Sequence, residues 1–470
     1  MRVSCKQAGF VAGLVLLVAI PAAAQVGGYG GMGGFGGIAS GHGLGGANPD
    51  VPSVRPWLSV SGGASKFYDD ARDDKIRYGA GISGGVSVGK AWARTSLSGS
   101  YMTGGTLVNP YRNYGAGTGM SHVFGLQVMH QVTQRLAASV STFGGSSNGG
   151  FGSVGGGLGG FGGMGPMGTS ITTSPSQGQI NSSNIDLGFQ NLTDNGLVDD
   201  ELFFARVNFA GVNAGVSYTA DQRNVFSFRV GASRVRRALN YLAGLNTLGG
   251  GASYTRVLTE KLSTGASYSF GTFEYPGYYG GNQVHSLGWN IGYRINPKTS
   301  FSMHAGGFLY RVNNIGTVTL PPELAAILGT SSIQQINNYS YRGVSGGVSI
   351  SRSFRVGSAG ASYSRGANPG YGLLFPTLRE SVSVSYGLGG NRYSVGTSGH
   401  YSRGNSISAI QGSTSSKAVA AFASYRLLGS LHVTGSASQY WLGASPISNR
   451  RIVSANVGIA FSPGSYPLWF

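Results

Sequence analysis

Apolar residues recur at every second position through most of this chain. No run beyond the first two dozen residues approaches the roughly 20 apolar residues a membrane helix needs. In "RESVSVSYGLGG" (Arg379–Gly390), Val382, Val384, Tyr386 and Leu388 share one face of an extended strand. Ser381, Ser383, Ser385 and Gly387 take the other. "AVAAFASYRLL" repeats the pattern with Val419, Ala421, Ala423, Tyr425 and Leu427. So do Ile76, Tyr78, Ala80 and Ile82, and Leu287, Trp289, Ile291, Tyr293 and Ile295. A period of two commits these segments to β-structure. In a soluble sandwich the apolar face would be bulky throughout. Here aromatics gather at strand ends, at Tyr363, Tyr386, Tyr401, Tyr425 and Trp441, where a girdle meets a bilayer interface. Only 10% of residues are charged, 83 of 470 are Gly, and 25 are Tyr. Mean hydropathy is close to zero because lipid-facing and lumen-facing positions cancel.

The connections alternate in length. Short links read "VGKAW", "VTQRL", "ADQRN", "TEK", "NPKT", "SFRVGS", "GGNR" and "LLGS", with longer polar or Gly-rich segments between them. Short turns on one side and long loops on the other are the pattern of an up-and-down membrane barrel. Counting from Trp57 to Phe461 predicts an all-β, transmembrane, antiparallel barrel of about 18 strands, within a range of 16–18. Most of the 15 Asp and Glu fall in the predicted turns and loops. A charge facing lipid at mid-membrane costs about 2–4 kcal/mol.

The N-terminus reads as an export signal over residues 1–24. Arg2 and Lys6 precede an apolar run from Ala8 to Ile20, and Ala22-Ala23-Ala24 supplies a cleavage site. Cys5 is the only cysteine, so the exported chain has no disulfide and no cysteine chemistry. A Gly-rich leader is expected over residues 25–55, the barrel over 56–461, and a Gly-rich outer loop over 144–200. An aromatic tail over 462–470 follows the barrel. The runs Gly27–Gly46 and Gly149–Gly168 are too poor in apolar residues to form a core. They are read as flexible segments, with an inward fold that constricts the lumen as the alternative.

The last strand is predicted at Val453–Phe461, with Val453, Ala455, Val457, Ile459 and Phe461 alternating against Ser454, Asn456 and Gly458. Alternation ending on an aromatic resembles the C-terminal targeting strand of bacterial outer-membrane β-barrel proteins of the porin-like kind. That resemblance implies a location integral to the outer membrane and recognition by the barrel-assembly machinery. The signal it implies is Val457, Gly458, Ile459 and Phe461, or the terminal Phe470. Pro463 and Pro467 keep the tail from extending as a regular central strand.

Chemistry is sparse. The seven His form no metal-binding pair, and there is no nucleophile elbow and no phosphate loop. His400 and His432 are predicted on the lumen face among Ser398, Ser402, Thr434 and Ser436. In so serine-rich a chain that proximity arises by chance. No enzyme activity, cofactor or metal is expected. The charge is +18, or +16 once Arg2 and Lys6 are set aside. Arg234, Arg236, Arg237, Arg311, Arg365, Arg403, Arg450 and Arg451 fall near predicted outer strand tops. They form either a basic mouth that concentrates anionic solutes or polysaccharide, or contacts to membrane lipid and lipopolysaccharide phosphates. No nucleic-acid recognition module is visible. The expectation is a porin-like channel for small, hydrophilic, anionic solutes. The alternatives are an accessory to exopolysaccharide export or surface assembly, and a non-conducting structural or adhesive barrel.

Overall fold

The computed structural model describes residues 53–69, 76–108, 121–148, 206–237, 244–276, 280–319, 332–368, 377–389, 392–406, 413–445, 448–461 and 466–467. The expected signal segment, the leader up to residue 52, most of the Gly-rich outer loop and Phe470 lie outside the described residues.

Eighteen long strands run in chain order: β1 (Ser53–Asp69), β2 (Ile76–Ala91), β3 (Thr95–Val108), β4 (Ser121–Gln131), β5 (Leu136–Asn148) and β6 (Arg206–Thr219). Then come β7 (Asn224–Arg237), β8 (Leu245–Val257), β9 (Leu262–Glu274), β10 (Gly280–Asn296), β11 (Thr299–Thr319) and β12 (Ser332–Phe354). The last six are β13 (Gly357–Asn368), β14 (Thr377–Gly389), β15 (Tyr393–Ser406), β16 (Ser413–Leu428), β17 (Leu431–Ser445) and β18 (Ser448–Phe461). Each pairs antiparallel with the next, and β18 pairs with β1 through twelve residues from Leu58↔Phe461 to Asp69↔Arg450. Closure gives each of the eighteen long strands a partner on both sides, the condition for a sheet to sit in hydrocarbon. The strand count and the closing strand agree with the sequence. Two boundaries differ. The wall begins at Ser53, and Gly144–Asn148, expected to open the loop, continue β5 because they pair with Arg206–Ala210. In the tail, Tyr466–Pro467 forms a short β19 against Ser53 and Val54, at the barrel's end where a proline removes no interior hydrogen bond.

The apolar face points outward, as the alternation requires. Val457 is 66% exposed, Leu287 65% and Trp289 61%, and the outward positions of every strand pair belong to the same band. Val453 to Phe461 rises roughly 27 Å along β18, and a tilt of about 40° projects that to about 21 Å, most of the roughly 25 Å apolar band of this class. Tyr218, Tyr293, Tyr386, Tyr393 and Tyr425 stand outward near the turn end, Tyr101 and Tyr268 at mid-strand, and Tyr363 and Tyr401 nearer the loop end. Tyr101 and Tyr268 hydroxyls meet Nδ1 of His122 and His285, each at 2.8 Å, so their polarity is satisfied on the outward face. The protein is an integral outer-membrane β-barrel on this geometry: closed, antiparallel and apolar outside.

The turn end repeats one unit. Arg94, Arg135, Arg223, Lys261, Lys298 and Arg392 close their turns with exposed side chains. Their carbonyls accept from the N–H groups of Gln131, Thr219, Val257, Arg294, Ser353 and Arg426, one hairpin further on. The same bond thus staples successive hairpins around the barrel. In the turn after β6, Asp221 accepts from the backbone N–H groups of Arg223 (2.7 Å) and Asn224 (2.9 Å) and from the Asn224 amide (2.7 Å). The Asn224 amide, and next the Arg223 N–H, hold its carboxyl below the ordinary value. A carboxyl lowered by folding stabilises above its unfolded pKa and stops doing so as pH falls through the folded one. Exchange protection of the Arg223 and Asn224 amides is therefore expected to fall on acidification. Asp221→Asn keeps an acceptor and removes that pH dependence. Hydrogen exchange across pH 2–6 checks both.

Candidate functional site

Alternate residues of every strand face the barrel's interior. Serine dominates there, and directly opposed serines bond across strand pairs. Examples are Ser59 with Ser83 (2.6 Å), Ser302 with Ser349 (2.6 Å), Ser364 with Ser381 (2.7 Å) and Ser402 with Ser416 (2.8 Å). Cross-strand hydroxyl pairs stabilise each strand contact modestly and give the wall a polar, small-residue lining.

Arginines interrupt this lining. The inward positions, fixed by register, hold Arg229 and Arg237 of β7, Arg294 of β10, Arg379 of β14 and Arg426 of β16. Arg77 of β2 and Arg450 of β18 share that register. Arg294 and Arg426 stand two residues from the turn end of their strands, whereas Arg237 and Arg379 stand near the loop end. The basic groups are thus spread along the lumen axis. Asp69, at the loop end of β1, is the one acidic residue in the inward register among the described residues. Arg379 donates from Nη2 to Ser402 Oγ at 3.2 Å, and His400 Nε2 lies 3.5 Å from the same nitrogen. His400 and His432 both face inward, as expected. His432, on β17 opposite Arg426, is buried.

One sector of the interior is not serine-lined. Val235, Leu245, Phe273, Val284, Phe308, Tyr310 and Val312 form a buried apolar cluster on the inward face of β7–β11 towards the loop end. Tyr339 and Tyr341 of β12 pack against it. The register sets Val235 opposite Leu245, and Val284 opposite Tyr310, which in turn faces Tyr341. Gly343 is what lets Phe308 lie flat. A Cβ there would stand 2.5 Å from Phe308 Cζ and 3.0 Å from a Tyr341 ring carbon. Gly343→Ala is expected to cost about 1–3 kcal/mol by overpacking, read as a shifted unfolding midpoint in denaturant.

The arginines expected at the mouth divide by face. Arg234, Arg236, Arg311, Arg365, Arg403 and Arg451 occupy the outward register, and only Arg237 and Arg450 the inward one. Arg365 Nη1 pairs with Glu380 Oε1 at 3.2 Å, and Glu380 sits opposite both Arg365 and Arg403. The inward arginines Arg229, Arg294, Arg379 and Arg426 were missed because charge was grouped by height along the strand and not by parity. The signal was available: Arg379 shares parity with Ser381 and Ser383, and Arg426 with Ser424. Of the expected assembly residues, Val457, Ile459 and Phe461 face lipid on β18, and Gly458 faces inward.

No family model matches this chain, and no curated protein does. Solved structures similar to it include Pseudomonas aeruginosa OpdQ, at 8% identity and TM-score 0.39, covering 87% of this chain and 98% of that one. P. aeruginosa OpdK with vanillate is similar at 10% identity and TM-score 0.42, over 87% and 98% of the two chains. Acinetobacter baumannii OccAB4 follows at 9% identity and TM-score 0.40, over 88% and 100%. At these values function has to be read from the barrel's own residues.

Proposed function

We propose that this barrel is a porin-like channel through which small hydrophilic anions cross the outer membrane by diffusion. The observation that carries the reading is the sign of the lumen. Five described arginine side chains stand in the inward register at several heights, against a single acidic residue at its rim. Fixed cations inside a low-dielectric wall focus the field along the lumen and raise the local concentration of anions. Serine hydroxyls between them offer weak, interchangeable hydrogen bonds, so a solute can enter and leave. The six basic turn residues extend the positive potential beyond the strand ends. Selectivity on this reading comes from Arg229, Arg294, Arg379 and Arg426, with Arg237 at the loop end. The apolar cluster of β7–β11 confines passage to the serine- and arginine-lined remainder of the cross-section.

The test is planar-bilayer conductance of the refolded chain under a potassium chloride gradient. Stable current steps with a reversal potential displaced towards that of chloride are expected. A folded barrel that passes no current, or one that prefers potassium, overturns the reading.

A further inference from the structure

On the lipid-facing side of β15–β18 and β1, near the loop end, the register places five residues in one row: Tyr401, Lys417, Trp441, Arg451 and Tyr68. Aromatic rings and cations alternate along it. Arg451 Cζ lies 5.0 Å from the Tyr68 ring centre and 5.8 Å from that of Trp441, and Lys417 Nζ lies 5.7 Å from that of Tyr401. Lys66, one outward position lower, sets its Nζ 4.6 Å from Tyr68. With its amide turned so that Oε1 faces the guanidinium, Gln439 accepts from Arg451 and fixes its plane. These contacts hold three cations in place and leave their charge intact. No carboxylate stands on the outward face of these five strands. Asp69, their one acidic residue, has the inward register.

The wall beneath the row is shallow. Four residues below it, the outward positions read Ala421, Ala437, Ala455 and Ala64, again in register across β16, β17, β18 and β1. Bulky groups return at the next levels, with Tyr425, Val433, Ile459 and Val60 aligned. A saddle of small side chains therefore lies between a cationic rim and an apolar base.

We propose that this face binds a lipopolysaccharide molecule of the outer leaflet, its lipid A phosphates on Lys66, Lys417 and Arg451 and an acyl chain in the alanine saddle. The row lies at the end opposite the short turns, which is the outer side in barrels of this class. Neighbouring strands are about 4.8 Å apart, so Lys417 and Arg451, two strands apart, sit about 10 Å from one another at their Cα atoms. That spacing suits separate phosphate oxygens better than one shared ion. Phosphate accepts charge-assisted hydrogen bonds from both cation types, and interfacial basic residues favour anionic lipid. A second copy of the barrel is disfavoured on the same face, because two-fold docking would oppose three cations to three cations with no carboxylate between them.

Titration of the refolded barrel in detergent with lipid A, read by native mass spectrometry, tests the proposal. Two phosphates on lipid A should give one tightly retained molecule per barrel. The same lipid A stripped of phosphate should bind at least ten-fold more weakly. Lys66→Ala/Lys417→Ala/Arg451→Ala should lose that preference, while Lys261→Ala/Lys298→Ala at the turn end should keep it. Ala455→Phe fills the saddle without changing charge, so it tests the site independently if the triple variant fails to fold. It should weaken binding several-fold. Equal binding of the two lipids, an unaffected triple variant, or unaffected binding by Ala455→Phe would overturn the proposal. So would efficient crosslinking of two barrels through Ala437→Cys in the presence of lipid A.

Discussion

Replacing Val384 by arginine is expected to destabilise the barrel by about 2–4 kcal/mol, whereas Ser385→Arg, one residue on, is expected to change stability by less than about 1 kcal/mol. Val384 is 53% exposed on the outward face of β14, between Val382 and Tyr386, in the apolar band. An arginine there must leave its guanidinium in hydrocarbon or stretch it past Val382 towards Glu380 and the interface. Ser385 faces the interior opposite Gly360 and Ser398, where water and other polar groups solvate the new charge. The two sites share strand, height and substituent, so the difference between them isolates the solvent on each side of the wall. Reversible denaturant unfolding in lipid vesicles gives both values. Equal costs would mean that β14 does not separate lipid from an aqueous lumen, and would remove the basis of the channel reading along with it.

That contrast also marks what the sequence made legible. Period-two alternation was enough to assign faces, because a one-residue slip would turn every valine of a strand inward and every serine outward. Strand number and the closing strand followed, since the turns are short and each is bounded by an aromatic or basic residue at the interface. Parity was legible for the charges as well. Arg403 stands two residues from Tyr401, and Arg451 two from Val453, so both belong to the lipid-facing set. Height along the strand says nothing about that. The apolar sector of the lumen was hidden for a different reason. In "GGFLYRV" the residues Phe308, Leu309 and Tyr310 are consecutive, so alternation fails and neither face is marked as outside. Only pairing with Gly343, Tyr341 and Val284 shows that Phe308 and Tyr310 have turned inward. The row Tyr401, Lys417, Trp441, Arg451 and Tyr68 is likewise invisible before register is known, because its members come from five strands.

Reversing three lumen charges, with Arg229→Glu, Arg379→Glu and Arg426→Glu, is expected to turn an anion-preferring channel into a cation-preferring one. A unit charge about 5 Å from a permeating ion in water contributes about 0.8 kcal/mol, a factor of about four in local ion concentration. Reversal of sign doubles that energy, so one substitution shifts the local concentration of an anion by roughly sixteen-fold at its own level of the lumen, and that of a cation by as much in the opposite direction. Salt screens each charge beyond about 10 Å at 0.1 M. Arg379 and Arg426 stand at opposite ends of their strands, so they act on different parts of the path and their effects on permeation combine in series. The sign of the reversal potential should therefore cross zero in the triple variant, with single variants between. Lower salt should enlarge every difference, since screening weakens. Arg342→Glu on β12 supplies the comparison: its side chain is exposed on the lipid-facing register opposite Leu309, so the same charge change should leave the potential where it was. If Arg342→Glu moves the potential as far as the lumen variants do, selectivity arises from the charge of the whole barrel and not from its interior arginines. If none of the four moves it, the ions pass elsewhere, and the inward arginines serve to hold the wall through contacts such as that of Arg379 with Ser402.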